Sequence, residues 1–433
     1  MSLAFRFVAC AIAMGLATGA SAQGTGRQTQ SDDYTRYELL APDTAQFRIV
    51  YEVTATTPGA TVFFNVIRKG SEASDEAVYD RMTGERLKFE VIPGSEALAA
   101  GLTGAETDTG YIQVHLPRAV PSGGGGVRLR IDKTYKDAKS YFREGDAIVF
   151  SRPLGIKRNA VVLPAGFELV ACNYPSQVLT EPDGRISVSF INAGPGEVPL
   201  VVKARALAKD AGVLTPPAGA SKRARVPAVA APRTPPAPAA AAPAEAERLT
   251  ERAHEDRAIV YNLLAPETHA FSLYHDYTES EAGVDRYLNV VRAGSTVSNP
   301  SARVLDTGEA LKVETLIGSA ITRAGLDIGE PIRPATAVVV VRFGPVKKGQ
   351  SVRLRIEETY TDPGRYGLVG PDLVWDRSLG RAFNAVVLPA GWYLTGSSMP
   401  AVVTRQEDGR IRLEYVNARP DEVNVLLKAR RRR

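Results

Sequence analysis

The chain has 433 residues, 44% apolar and 23% charged, with a formal charge of +5 and only two cysteines. This is the composition of a globular protein long enough for more than one hydrophobic core, and two cysteines exclude a disulfide-built scaffold. Beyond the N-terminal segment, no apolar stretch approaches the roughly 20 residues that a membrane helix needs.

Residues 1–22 carry Arg6, an apolar run from Phe7 to Ala17, and the small residues Ala20, Ser21 and Ala22. That order reads as a secretory signal peptide, so the mature protein is expected to be periplasmic or secreted. Cleavage removes Cys10 and leaves Cys172, for which the sequence predicts an inert, partly buried thiol, with a bridge between chains as the alternative. A short extension, 23–36, precedes the first folded region.

The segment 37–206 then returns as 258–430. YELLAPDT at Tyr37 answers YNLLAPET at Tyr261, VRLRIDKTY at Val127 answers VRLRIEETY at Val352, and NAVVLPAGF at Asn159 answers NAVVLPAGW at Asn384. A repeat of this length is a duplicated domain rather than a solenoid unit. Within each copy the dominant period is two. Phe47, Ile49, Tyr51 and Val53 alternate with polar residues, as do Val127, Leu129 and Ile131, then Ile186, Val188 and Phe190, and again Ile411, Leu413 and Tyr415. Alternation puts one face of each strand in a core and the other in water. Asp183-Gly184, Asp408-Gly409, Thr83-Gly84 and Thr307-Gly308 supply hairpin turns between these runs. The reading is all-β, with two tandem antiparallel β-sandwich domains of about ten strands each.

Between the copies, 207–243 is rich in Pro and Ala and predicts a disordered, extended linker. AEAERLTERAHEDR, 244–257, predicts a short amphipathic helix. The chain closes on a basic tail, 431–433, and the cations Arg430, Arg431, Arg432 and Arg433 offer weak contact with an anionic surface.

One order of elements is familiar in both copies. A hairpin (VYDRMTGERLKFEV, ARVLDTGEALKVETL) leads to a strand (YIQVHLP, AVVVVRF), a Gly-containing turn, and a strand ending in Tyr (VRLRIDKTY, VRLRIEETY). This resembles the non-catalytic N-terminal β domain of gluzincin aminopeptidases. A gluzincin's catalytic domain needs HExxH on a helix. The four histidines here, His115, His254, His269 and His275, never take that spacing. The resemblance therefore implies the β module without the enzyme, and no cofactor or metal is expected.

Other chemistries find no support. There is no GxSxG, and the glycine run Gly123 to Gly126 lacks the Lys-Ser/Thr of a phosphate loop. An export signal argues against nucleic-acid binding. Acids shared by the copies, namely Glu85 and Glu309, Glu90 and Glu314, Asp137 and Asp362, Asp183 and Asp408, and Glu197 and Glu422, single out no pair for glycoside hydrolysis. The block shared most closely is the best recognition surface: Tyr135, Asp137, Tyr141, Arg152 and Asn159 in the first copy, and Tyr360, Asp362, Tyr366, Arg377 and Asn384 in the second. Aromatic faces with an Asp, an Arg and an Asn suit a sugar ring or an extended peptide. The same side chains equally suit the satisfaction of a long loop's own backbone. The expected function is a non-catalytic binding or scaffolding protein of the cell envelope, with a glycan, peptide or protein as partner. The alternative is a hydrolase of polysaccharide or peptide whose carboxylates the sequence does not identify.

Overall fold

The computed structural model describes residues 27–208 and 258–432. The signal-peptide segment, most of the linker, the helix read at 244–257 and Arg433 lie outside the described residues. The first copy contributes β1 (Gln30–Leu39), β2 (Gln46–Ala55), β3 (Val62–Val66), β4 (Glu72–Asp80), β5 (Phe89–Pro93), β6 (Gly110–His115), β7 (Val127–Lys136), β8 (Tyr141–Glu144), β9 (Ala147–Leu154), β10 (Arg158–Val162), β11 (Phe167–Thr180), β12 (Ile186–Ile191) and β13 (Val198–Ala206). The second contributes β14 (Ala258–Leu263), β15 (Ala270–Glu279), β16 (Arg286–Val290), β17 (Thr296–Val304), β18 (Lys312–Ile317), β19 (Ala337–Arg342), β20 (Val352–Thr361), β21 (Tyr366–Val369), β22 (Asp372–Leu379), β23 (Phe383–Val387), β24 (Trp392–Arg405), β25 (Ile411–Val416) and β26 (Val423–Arg431). The all-β class holds, with more strands per copy than the turn signals announce. Each copy also has one short helix, α1 (Gly94–Ala99) and α2 (Ser319–Arg323).

Among the described residues the chain forms two compact units. One is drawn from residues 27–32, 53–69 and 77–130, the other from 33–52, 70–76, 131–208 and 258–432. In the first unit, β6 lies between β3 and β5 in an antiparallel sheet. Its α1 side packs Ile92, Ala97 and Tyr111 against Phe64, Leu102 and Ala105.

The second unit contains the whole second copy. There β14 pairs in parallel with β23, and β15, β20 and β17 follow in antiparallel register. β16, β19 and β18 form a separate three-stranded sheet, whose core of Ile321, Leu326, Ile328, Val338 and Val340 includes α2. The parallel pair departs from a purely antiparallel reading, and β1 and β10 repeat it in the first copy. No hairpin joins either pair, because most of the copy lies between the partners, so the connection imposes no antiparallel register. The same aromatic core recurs as well. Tyr37, Phe47 and Phe150 meet with ring centroids 5.4–6.1 Å apart, and Tyr261, Phe271 and Trp375 at 5.3–6.5 Å.

The copies also join. β11 runs antiparallel to β24, with Cys172 opposite Val403 and Val178 opposite Ser397. Thr180 donates to the Thr395 carbonyl across this seam at 2.8 Å. Glu168, 1% exposed, receives Arg205 from its own copy at 2.7 Å and Arg432 from the end of the chain at 2.8 Å. Within the basic tail, Arg431 thus closes β26 and Arg432 is held by a buried carboxylate.

Candidate functional site

Strand β20 presents Leu354, Ile356, Glu358 and Tyr360 on one buried face. Period two demands an apolar residue at the third of these positions, and an acid stands there. Glu358 is 2% exposed. The Asn289 side-chain amide donates to Glu358 Oε2 at 2.7 Å and to the Tyr360 hydroxyl at 3.1 Å. Glu358 Oε1 is buried and has no hydrogen-bond partner. Burial raises the pKa of this carboxyl above the usual range, against the opposing pull of Asn289 and Tyr360. Burial likewise pushes up the Tyr360 phenol, and the neighbouring Glu358 adds to it.

Beside this strand, β22 brings in Arg377. Its guanidinium lies 5.0 Å from the Phe271 ring centre and 5.7 Å from that of Tyr360, distances at which a cation is held by an aromatic face. Arg377 Nη1 stands 3.5 Å from Asp362 Oδ2 but makes no hydrogen bond. Asp362 instead takes the Ser295 hydroxyl at 2.9 Å. From the loop after β16, Arg292 meets Glu422 at 3.6 Å. Its pKa is lowered, first by burial and then by the charge of Arg377.

Glu358, Asn289, Tyr360, Arg377 and Arg292 line one cleft of about 550 Å³, which Tyr261, His275, Tyr287, Asp327, Glu330, Arg381 and Glu422 also border. His275 is buried on the inward face of β15, with its ring 5.6 Å from that of Tyr287. A cleft of this size with a few convergent polar groups has the dimensions of a small-molecule site.

The first copy uses the same block differently. Arg152 Nη1 donates to Asp137 Oδ2 at 3.1 Å and to the Ser140 hydroxyl at 3.3 Å. Asp137 also accepts from the hydroxyls of Ser71 and Ser140 and from the backbone amides of Lys139 and Ser140. Burial favours the neutral acid, but these bonds and Arg152 outweigh it and hold Asp137 below the ordinary carboxylate range. The position of Glu358 is filled by Lys133, 4% exposed, with its ammonium 5.0 Å from the Tyr135 ring centre. Burial and the nearby Arg152 lower that lysine to a pKa of about 7, against a smaller upward pull from Glu76.

All ten residues read from the sequence as a recognition surface are buried. The structure brings Tyr360 and Arg377 to the cleft wall. Tyr141 donates to the Leu40 carbonyl and Tyr366 to that of Leu264. Asn159 and Asn384 donate to the carbonyls of Ile156 and Arg381. These four, with Asp137, Asp362, Tyr135 and Arg152, are engaged in holding their own copy together. Sequence reasoning passed over Glu358, Asn289 and Arg292. The signal for Glu358 was present, as a charge in an apolar register.

No protein-family model matches the chain, and no curated protein matches it. Solved structures do. An M1 zinc metallopeptidase from Deinococcus radiodurans is 14% identical over 41% of this chain and 41% of that one, with a TM-score of 0.26. An aminopeptidase N family protein from Idiomarina loihiensis is 11% identical over 40% of this chain and 29% of that one, with a TM-score of 0.24. The chain covers less than half the length of either. A resemblance to zinc aminopeptidases, the expectation from the sequence, is found over about 41% of the chain.

Proposed function

We propose that the chain is an exported binding or scaffolding protein of the cell envelope, and that its second copy carries the ligand site. The observation that carries this reading is the cleft of about 550 Å³ bordered by Glu358, Asn289, Tyr360 and Arg377. Burying an acid and a guanidinium with unmet hydrogen-bonding atoms costs stability, and a ligand that meets them offsets the cost. Export rests on the N-terminal segment Met1 to Ala22, and an envelope glycan, peptide or protein is the partner class that fits. Of the sequence's binding residues, Tyr360 and Arg377 keep that role.

The hydrolase alternative gains little. Of the acids shared by the copies, Glu422 borders the cleft, whereas Asp408 pairs with Arg410 and Glu314 with Arg342. The test is thermal unfolding of the full chain against a panel of envelope glycans and metabolites, with product analysis of each mixture. A saturating ligand at a hundredfold its Kd should add about 2.7 kcal/mol. Turnover that Glu358→Gln abolishes would replace binding by hydrolysis, and a mature N-terminus still beginning at Met1 would remove the export half.

A further inference from the structure

The cleft's polar groups are specific enough to indicate what they hold. In the first copy Arg152 is engaged by Asp137 and Ser140. The second copy has Arg365 where Ser140 stands, so an acceptor has been exchanged for another cation. Arg377 is left with a 3.5 Å ion pair and no hydrogen bond to Nη1. Arg292 has only the 3.6 Å approach of Glu422, and the charges of Arg377 and Arg365 act against its own. Two guanidiniums with unused donors on one wall call for a planar acceptor with two oxygens. Asp327, Glu330 and Glu422 border the same cleft. Their charge disfavours a doubly ionised phosphate and leaves room for a monoanion.

The other orphan is Glu358 Oε1, on a residue 2% exposed. A hydroxyl both donates and accepts, so it satisfies this atom whether or not the carboxyl carries its proton. An ammonium would satisfy only the ionised form, and it would sit among arginines. Tyr261, Tyr287 and Tyr360 supply an aromatic wall for the carbon skeleton.

We propose that the cleft takes a small hydroxy acid, its carboxylate between Arg292 and Arg377 and a hydroxyl at Glu358. The inference rests on the reading of this cleft as the ligand site. Two sources share the chemistry: a uronic acid unit of a glycan and a free hydroxy acid.

The test titrates the full chain with D-glucuronate and L-lactate, and with D-glucose and glycerol as uncharged counterparts. The readout is the backbone amide resonances of Asn289, Arg292 and Glu358. The acids should move these resonances at concentrations at least about tenfold below their counterparts, a gap of about 1.4 kcal/mol, and Arg292→Gln should erase it. Stronger binding of glucuronate identifies the glycan source, and stronger binding of lactate the free acid. Equal binding of charged and uncharged probes overturns the hydroxy acid while leaving a ligand cleft. Silence from all four at about 10 mM, where even weak sites fill, overturns the cleft itself. The comparison of acids with counterparts in the unaltered chain decides the matter even if Arg292→Gln fails to fold.

Discussion

In the first copy the buried face of β7 runs Leu129, Ile131, Lys133, Tyr135, and in the second that of β20 runs Leu354, Ile356, Glu358, Tyr360. Several neighbours of the third position are matched: the Tyr two residues on, the Arg from β9 or β22, the Asp after the strand, and the hydroxyl of Ser71 or Ser295 bonded to that Asp. One architecture has accepted a buried base and a buried acid at the same point. In both, burial moves the group toward its neutral form. The difference lies in the surroundings. The first copy locks its arginine into a closed hydrogen-bonded cluster, whereas the second leaves its arginine loosely paired and opens a cleft beside the acid.

The largest test of that contrast removes the arginines. Arg152→Ala strips a tightly bonded partner from buried Asp137 and should cost about 3–5 kcal/mol. Arg377→Ala breaks a 3.5 Å pair whose acid keeps Ser295, and should cost about 1–2 kcal/mol less. Urea unfolding of both variants measures it, and equal losses would erase the distinction between closed and open clusters.

Next comes the buried pair of opposite sign. The native fold lowers Lys133 to about 7 from an ordinary 10.5. Between those values the unfolded chain binds more protons, so this residue makes stability rise with pH across that window. Glu358 acts oppositely. Its native pKa lies above 4.5, the native state holds the extra proton, and stability falls as pH climbs from about 4.5 to the native value. Lys133→Met should stabilise the protein at neutral pH by about 1–4 kcal/mol and flatten the alkaline limb. Glu358→Gln should flatten the acid limb alone. Unfolding midpoints across pH check both, and one variant altering both limbs would mean the two sites titrate together.

A smaller effect concerns the seam between copies. Arg432→Ala leaves Glu168 with Arg205 only, a loss of about 1.5–3 kcal/mol for a charged hydrogen bond. Because Arg432 follows the last strand of the second copy and Glu168 lies in the first, hydrogen exchange on β11 and β24 should rise together. A rise on β24 alone would show that the seam does not transmit stability.

The fold beneath this contrast was largely legible in the sequence. Period two marked the strands, and Gly184 and Gly409 hold φ of 83° and 82° in the turns assigned to them, a backbone that favours glycine. The shared block was found because it repeats, yet repetition reports what both copies need for folding, and these residues are accordingly buried. What distinguishes a site is where the copies disagree: Lys133 against Glu358, and Ser140 against Arg365. The parallel pairing of β1 with β10 and the β11–β24 seam left no local trace, since period and turn chemistry report only on neighbours in sequence.

The smallest effect is the control on the whole comparison. Tyr141 and Tyr366 sit at matching positions and donate to matching carbonyls, those of Leu40 and Leu264. Each hydroxyl satisfies a backbone acceptor, so Tyr141→Phe and Tyr366→Phe should each cost about 1 kcal/mol, the same in either copy within about 0.5 kcal/mol. If Tyr366→Phe alone proved costly, the second copy would be strained beyond its cleft. Equal costs confine the divergence to the β20 and β22 face, where the acid and the loosely held arginine meet.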